Sequence, residues 1–359
     1  MNRKVRRALK KSSGVVLAGT MMFSNSGVMA LADTSKEQPT VTQITEMSLN
    51  QIQEEQEQVV ENVLSEEVYS DSATNSEDIE NDTVSGTWGT CEWTINSDGV
   101  LTIGEGVGKE TEYGYIENDF YYGGISPWTE YKNKIKKIDI TGNITFDEEV
   151  SLEGLFIDFN KVTEINGLKN IDFSKVTDIS DMFNGCRSLT NLEIGNWDVS
   201  NVTDTSSMFY GCRSLTNLEI GNWNVSNVTN AGFMFAGCSS LTNLEIGNWD
   251  VSNVTDAGYM FRGCSSLTNL EIGNWDVSNV TNAGSMFEGC SSLTNLEIGN
   301  WDVSNVTNAG SMFEGCSSLT NLEIGNWDVS NVTNAGSMFE GCSSLTNLEI
   351  GNWDVSNVT

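Results

Sequence analysis

The chain has 359 residues, and 50 acidic against 18 basic side chains give a formal charge of -32. A surface this acidic repels nucleic acid and anionic lipid, so an electrostatic partner should be basic or a cation. The absence of histidine removes His-based triads, the usual general base and the commonest zinc ligand, and two prolines among 34 glycines suit short strands and tight turns rather than long helices.

Residues 1–32 read as a signal peptide. Arg3, Lys4, Arg6, Arg7, Lys10 and Lys11 form a basic region, Val15 to Phe23 a short apolar one, and Ala30-Leu31-Ala32 a small-x-small cleavage site. The apolar stretch falls well short of the ~20 residues that span a bilayer. The expected product is therefore secreted, without membrane insertion of the mature chain. Residues 33–83 hold fourteen Asp or Glu and one base, Lys36. That composition buries too little apolar area to offset its ordering entropy and predicts an acidic disordered spacer. Leu49, Ile52, Val59, Val60, Val63, Leu64 and Val68 leave room within it for a short amphipathic helix.

Residues 84–171 predict a small β-rich cap with irregular first rungs. Thr87 to Ile95 alternates as a strand, Asn96-Ser97-Asp98-Gly99 is a turn signal, and Val100 to Ile103 alternates again, which gives a hairpin. Tyr113, Tyr115, Phe120, Tyr121, Tyr122 and Trp128 crowd a Gly-containing loop. They form either a ligand platform or, more in keeping with a repeat array, a seal over the first uncovered unit.

From Asp172 to the end one unit recurs. Trp197, Trp223, Trp249, Trp275, Trp301, Trp327 and Trp353 are each 26 residues apart, and units 276–301, 302–327 and 328–353 are identical. Seven units and a partial eighth fill 172–359. The expected fold is an α/β-type leucine-rich repeat solenoid with one short parallel strand per 26-residue coil. In unit 276–301, Leu293-Thr-Asn-Leu296-Glu-Ile298 should turn Leu296 and Ile298 inward and Glu297 outward. Gly299-Asn300 should turn the chain, and Asn308 or Ser304 should cap a brief helical turn through Met312-Phe313 that Gly315 ends. The units differ at positions this register exposes: Ser206-Ser207, Gly232-Phe233, Gly258-Tyr259 and Gly284-Ser285, and again Tyr210, Ala236, Arg262 and Glu288.

Met-Phe-x-Gly-Cys-x-Ser-Leu-x-x-Leu-x-Ile, as at Met286 to Ile298, resembles the repeat of BspA-type leucine-rich bacterial surface proteins. Gly86 to Trp93, Ser126-Pro-Trp128 and Lys134-Ile-Lys-Lys-Ile138 are similar to that family's N-terminal part. The resemblance covers roughly residues 84–359 and implies a cell-surface protein, in some members an adhesin for host matrix proteins or other cells. The chain stops inside a repeat, with neither C-terminal cap nor wall-sorting motif, which points to a fragment or to an unusual mode of attachment.

Stacking turns each repeat position into a ladder. Glu193, Glu219, Glu245, Glu271, Glu297, Glu323 and Glu349 should line one face about 5 Å apart. Salt screens charges at that spacing poorly, since the Debye length is roughly 8 Å. Each adjacent pair costs about 0.8 kcal/mol even in water. The ladder is either a solvated face or a binding face for basic protein segments or cations. Asp198, Asp250, Asp276, Asp302, Asp328 and Asp354 form a second acidic ladder, interrupted by Asn224, that matches no calcium motif. The tryptophans are either an exposed stripe or large core residues, and the inward alternation of Ile298, Trp301 and Val303 favours the core. Cys186, Cys212, Cys238, Cys264, Cys290, Cys316 and Cys342 occupy one position per unit, and buried free thiols suit a parallel ladder better than disulfides. Asn-Val-Thr, at Asn201, Asn227, Asn253 and onward, matches a glycosylation sequon, but asparagines satisfying turn backbone account for it.

No nucleophile motif, phosphate loop or metal spacing points to an enzyme, and no cofactor is implied. The sequence favours a secreted or surface-exposed module that binds extracellular or host-surface proteins. A structural spacer without a specific ligand is the second reading.

Overall fold

Alternation in the lead-in produces a sheet whose strands then hand over to the repeats. A computed structural model describes residues 83–116 and 121–359, with the side chains of residues 115, 116, 121 and 122 outside that description. The expected signal peptide and acidic spacer fall on residues 1–82, outside the described residues, as do the side chains of Tyr115, Phe120, Tyr121 and Tyr122. Strands β1 (Val84–Trp88), β2 (Cys91–Ile95) and β3 (Val100–Ile103) pair antiparallel in sequence order. The single strand expected over Thr87–Ile95 is thus two, because Gly89, at φ 62, folds the chain back between them. A side chain at Gly89 would run into the Val107 carbonyl oxygen. The turn at Asn96 to Gly99 forms as expected, with the Asn96 carboxamide oxygen accepting from the Asp98 and Val100 N–H groups at 3.1 and 2.9 Å.

Pairing then changes sense. β3, β7 (Lys137–Ile140) and β10 (Glu164–Asn166) are parallel, and Leu101, Ile138 and Ile165 stand side by side as buried partners. Between β3 and β7 lie β4 (Gly106–Val107), β5 (Glu112–Ile116) and β6 (Tyr121–Ile125). β5 and β6 form an antiparallel hairpin. β4 pairs parallel with β8 (Ile144–Thr145), and β9 (Val150–Ser151) pairs parallel with β11 (Val176–Asp178). This last pairing continues as parallel bridges from Asp178 to Asp204, Asn230, Asp256, Asn282, Asn308 and Asn334.

Beyond Asp178 the repeats hold neither regular strands nor helices. The segment Leu-Glu-Ile keeps the expected alternation, with Leu296 and Ile298 buried and Glu297 exposed, but its backbone makes only isolated bridges through Asn295 and its equivalents. Among the described residues the only helical elements are three-residue 3-10 turns at Thr129–Tyr131, Leu168–Asn170 and Phe173–Lys175. The expectation of an α/β unit is corrected to a β-rich one.

The reason lies in where the Met-Phe segment sends its N–H groups. Thr205, Ser207, Phe209 and Gly211 donate to carbonyls of Asn230, Gly232, Met234 and Ala236 in the next repeat at 2.7–3.0 Å. The residues between them, Met208, Tyr210 and Cys212, donate to carbonyls three residues back. Half the donors are thus committed to the neighbouring repeat, and an α-helix, which needs every donor inside the segment, cannot form. Residues four apart take left-handed backbone, with φ 55 at Ser207 and 68 at Gly211, and the pattern repeats at Ser285 and Gly289.

One apolar core runs through cap and repeats. Trp128, wholly buried, packs edge-on against Trp88 and Trp93 at 5.6 and 6.1 Å and stacks on Phe156 at 6.2 Å. Phe156 stacks on Phe183, Phe183 on Phe209, and the series continues through Phe235, Phe261, Phe287, Phe313 and Phe339 at 5.6–5.8 Å. The cap therefore covers the first repeat by extending its aromatic column, as an array of units that cannot bury themselves requires. A second column starts from Phe173 and runs from Trp197 to Trp353, with 6.1–6.5 Å between successive tryptophans.

The tryptophans are core residues: Trp197 through Trp327 are 4–6 % exposed, the Trp197 indole N–H donates to the Leu168 carbonyl, and the later ones donate to isoleucine carbonyls, as Trp301 does to Ile272 at 3.1 Å. The cysteines are free and, Cys342 apart, buried. In the repeats each thiol donates to the carbonyl of a phenylalanine in the preceding coil, as Cys290 does to Phe261 at 3.1 Å and Cys186 to Phe156 at 3.1 Å. Burial pushes the Cys238 and Cys316 thiols up to about 12. A thiol-reactive dye at neutral pH should accordingly find Cys342 first and all eight thiols only after denaturation. Fewer than eight in denaturant would show disulfides.

Candidate functional site

The Leu-Thr-Asn-Leu-Glu-Ile-Gly-Asn run puts its polar residues on one side because successive extended residues face opposite ways. Leu and Ile go to the core, while Asn, Glu and Gly two residues apart share the outer face. Glu193, Glu219, Glu245, Glu271, Glu297, Glu323 and Glu349 all line one continuous groove of about 2280 Å³. All seven are exposed. Two asparagine rows flank them, Asn191 to Asn347 and Asn196 to Asn352, and Lys169 stands at one end.

The asparagines are the part of this groove that the acidic ladder alone did not reveal. Asn243, Asn269, Asn295 and Asn321 donate to the glutamate two residues on at 3.2–3.4 Å, holding each carboxylate with a neutral donor of its own rung. Their signal was present in the repeated motif, since a residue two before Glu must share its face. The glycine two after Glu is fixed by packing: a Cβ at Gly299 would run into the Glu323 carbonyl oxygen of the next repeat. Bare backbone at that position leaves the floor of the groove open.

The other polar ladders serve the fold. Asp250 and Asp276 accept from Ser252 and Ser278 N–H groups at 3.1 Å, and the serine hydroxyl and backbone hold both carboxyls below their ordinary value. The sequon asparagines donate to serine carbonyls of the preceding repeat, as Asn279 does to Ser252 at 2.7 Å. Among the described residues no group of three or more Cys, Asp or Glu is placed to hold a metal ion.

An inner amide column, unremarked in the sequence beyond a capping role for Asn308, joins repeat to repeat. Asn282 donates to Asp256 at 2.9 Å, Asn308 to Asn282 at 2.9 Å and Asn334 to Asn308 at 3.0 Å. Asn308 also accepts from the Gly310 N–H, so it caps a turn rather than a helix. Burial raises the Asp256 carboxyl, against the hydrogen bonds from Gly258 and Asn282. A raised native pKa gives a contribution that is present below the unfolded value and lost as pH rises through the native one, the opposite sign to Asp250 and Asp276. Asp256→Asn should therefore stabilise the chain by about 0.5–1.5 kcal/mol near neutral pH and do nothing at pH 3, since it removes a desolvated charge and keeps an amide in the column. Urea unfolding at the two pH values checks this.

Comparison with known proteins bears on the chain's ancestry. No curated protein matches it. A solved structure, a leucine rich cell surface protein from Faecalibacterium prausnitzii A2-165, aligns at 15 % identity over 76 % of this chain and 96 % of the other, with a TM-score of 0.22. The family described as "Mycoplasma protein of unknown function, DUF285" matches residues 150–270 and 259–359. Those two stretches run from β9 through the whole repeat array and make up more than half of the sequence, and the chain belongs to this family.

Proposed function

We propose that this chain is a secreted or cell-surface protein of the BspA type, whose leucine-rich 26-residue coils form a solenoid that binds other proteins. The observation that carries the reading is the groove with its seven glutamates in register. Its volume, about 2280 Å³, is well beyond the roughly 300–1,000 Å³ of a small-molecule site. Its length follows the repeats, which suits an extended or broad partner. Its charge selects basic segments of that partner, as an acidic surface does by steering and by complementarity. Adhesion to host matrix or to other cells is the role such a surface would serve.

Binding of the full chain to polylysine and to a panel of extracellular matrix proteins tests this, with Glu271→Lys/Glu297→Lys as the paired variant. The two residues are exposed and lie outside the core, so the variant should fold. The expected result is retention of at least one matrix protein that salt weakens and the variant loses. Retention unchanged by the double charge reversal would leave the array as a spacer, the second reading.

A further inference from the structure

The repeats are nearly identical, so the few exposed side chains that depart from the common unit stand out. At one position Ser207, Phe233, Tyr259 and Ser285 are equivalent; three residues on, Tyr210, Ala236, Arg262 and Glu288 are. The structure brings the departures together on one flank. Phe233 stacks on Tyr259 with ring centroids 4.3 Å apart, and Tyr210 meets Phe233 edge-on at 6.3 Å. The Arg262 guanidinium lies 5.6 Å from the Tyr259 ring centre and holds Glu288 at 2.8 Å. Tyr210 is 43 % exposed and the Arg262 side chain 45 %. None of these residues lines the glutamate groove.

Two further observations single out this ridge. Phe233 and Tyr259 sit at φ 59 and 60, in left-handed backbone that bulky side chains rarely adopt and that Ser285, Ser311 and Ser337 fill in later repeats. Both aromatics are part-buried where later repeats do with serine, and strain of this kind gathers at functional positions. Charge is the second. From Val176 to Thr359 the chain has three bases, Arg187, Arg213 and Arg262. One of the three, Arg262, stands on this ridge, against the Tyr259 ring and beside Glu288. A basic side chain, rare in this acidic array, is thus held against its stacked aromatics.

We infer that the ridge of Tyr210, Phe233, Tyr259 and Arg262 is a second binding site, for a segment of a protein partner that presents carboxylates beside apolar side chains. Tyrosine and arginine supply large contact area and charged hydrogen bonds at low ordering cost, above all when already stacked and paired. Arg262 selects carboxylates and disfavours the basic segments suited to the groove. Phe233 and Tyr259 turn a face on each other and Arg262 covers the Tyr259 ring; covered faces favour a peptide over a sugar ring, which needs an open aromatic face.

The test selects peptides from a random linear-peptide display library on the full chain. Binders are then measured against the chain itself, against Tyr210→Glu/Phe233→Ser/Tyr259→Ser/Arg262→Glu, and against Glu271→Lys/Glu297→Lys. The fourfold variant installs residues that later repeats already carry at these positions, so its repeats fold. Acidic peptides with aromatic or aliphatic residues should be enriched, should lose about a hundredfold or more in affinity for the fourfold variant, and should keep their affinity for the glutamate variant. An absence of enriched peptides, or binders insensitive to the fourfold change, would overturn the proposal. Neutral oligosaccharides that bind the chain but not the fourfold variant would overturn it in favour of a sugar site. Loss of the groove's activity in the glutamate variant has no bearing on this result, so the two sites fail separately.

Discussion

Phe287→Ala should destabilise the chain by about 3–5 kcal/mol, the range for removing a large ring from a packed core. Phe287 is wholly buried and stacks on Phe261 and Phe313 at 5.6 Å on either side, with Trp301 at 6.5 Å. Its neighbours are fixed by interlocked backbone on both faces, so the site has little freedom to collapse around the void. The loss also falls on the interfaces with two neighbouring repeats, and an array held by nearest-neighbour contacts divides where one interface is weakened. Urea unfolding followed by tryptophan emission should show a lower midpoint and a second transition as the two halves separate. Phe339→Ala is the control. Phe339 is half-buried and stacks on Phe313 alone among the phenylalanines, so its loss should be less than half as large. Equal losses at the two positions would mean that stacking is not what holds the column.

The second large effect belongs to the smallest side chain. Gly299→Ala should cost about 1–3 kcal/mol, as overpacking does, although alanine is otherwise the better residue. Its Cβ would press on the Glu323 carbonyl oxygen, which is backbone and cannot swing aside. Relief requires the two repeats to part at the floor of the groove, so the substitution should weaken both stability and groove binding. Gly351→Ala offers the matched comparison, because a Cβ there meets nothing within 4 Å. It should be neutral or slightly stabilising. Thermal unfolding of the pair separates close approach from any general preference for glycine.

The repeat, its register and its inward residues were legible because they depend on periodicity alone. Once Trp197 to Trp353 recur at a fixed interval, every position becomes a ladder, and the alternation of Leu296, Glu297 and Ile298 assigns faces. Glu193 to Glu349 fell into one groove for that reason. The backbone was less legible. Met312-Phe313 followed by Gly315 looks like a short helix and its cap, since a helix end and a chain of turns share the same left-handed glycine. What decides between them is the carbonyl row of the neighbouring repeat, which takes alternate N–H groups from this segment, and no local pattern encodes that. The hairpin at Asn96 to Gly99 is legible in its turn residues, whereas the fold-back at Gly89 is hidden inside an alternation that runs through it. The amide column of Asn282, Asn308 and Asn334 was hidden too. A part-buried asparagine row is indistinguishable from turn asparagines until the side chains are seen to bond to one another.

The claim beneath all of this is that each repeat is held by its neighbours at a strict interval of 26 residues. Deletion measures it directly. Removing residues 276–301 takes out one unit and leaves every interface as it was, because the unit that follows is identical. Removing 276–288 deletes half as much chain but puts Trp, Phe, Cys and Asn out of line across the cut. The first variant should unfold cooperatively in urea with buried tryptophan emission and a midpoint close to that of the full chain. The second should show red-shifted emission before the main transition and a lower midpoint. Equal tolerance of the two deletions, or greater harm from the longer one, would contradict the stacked register.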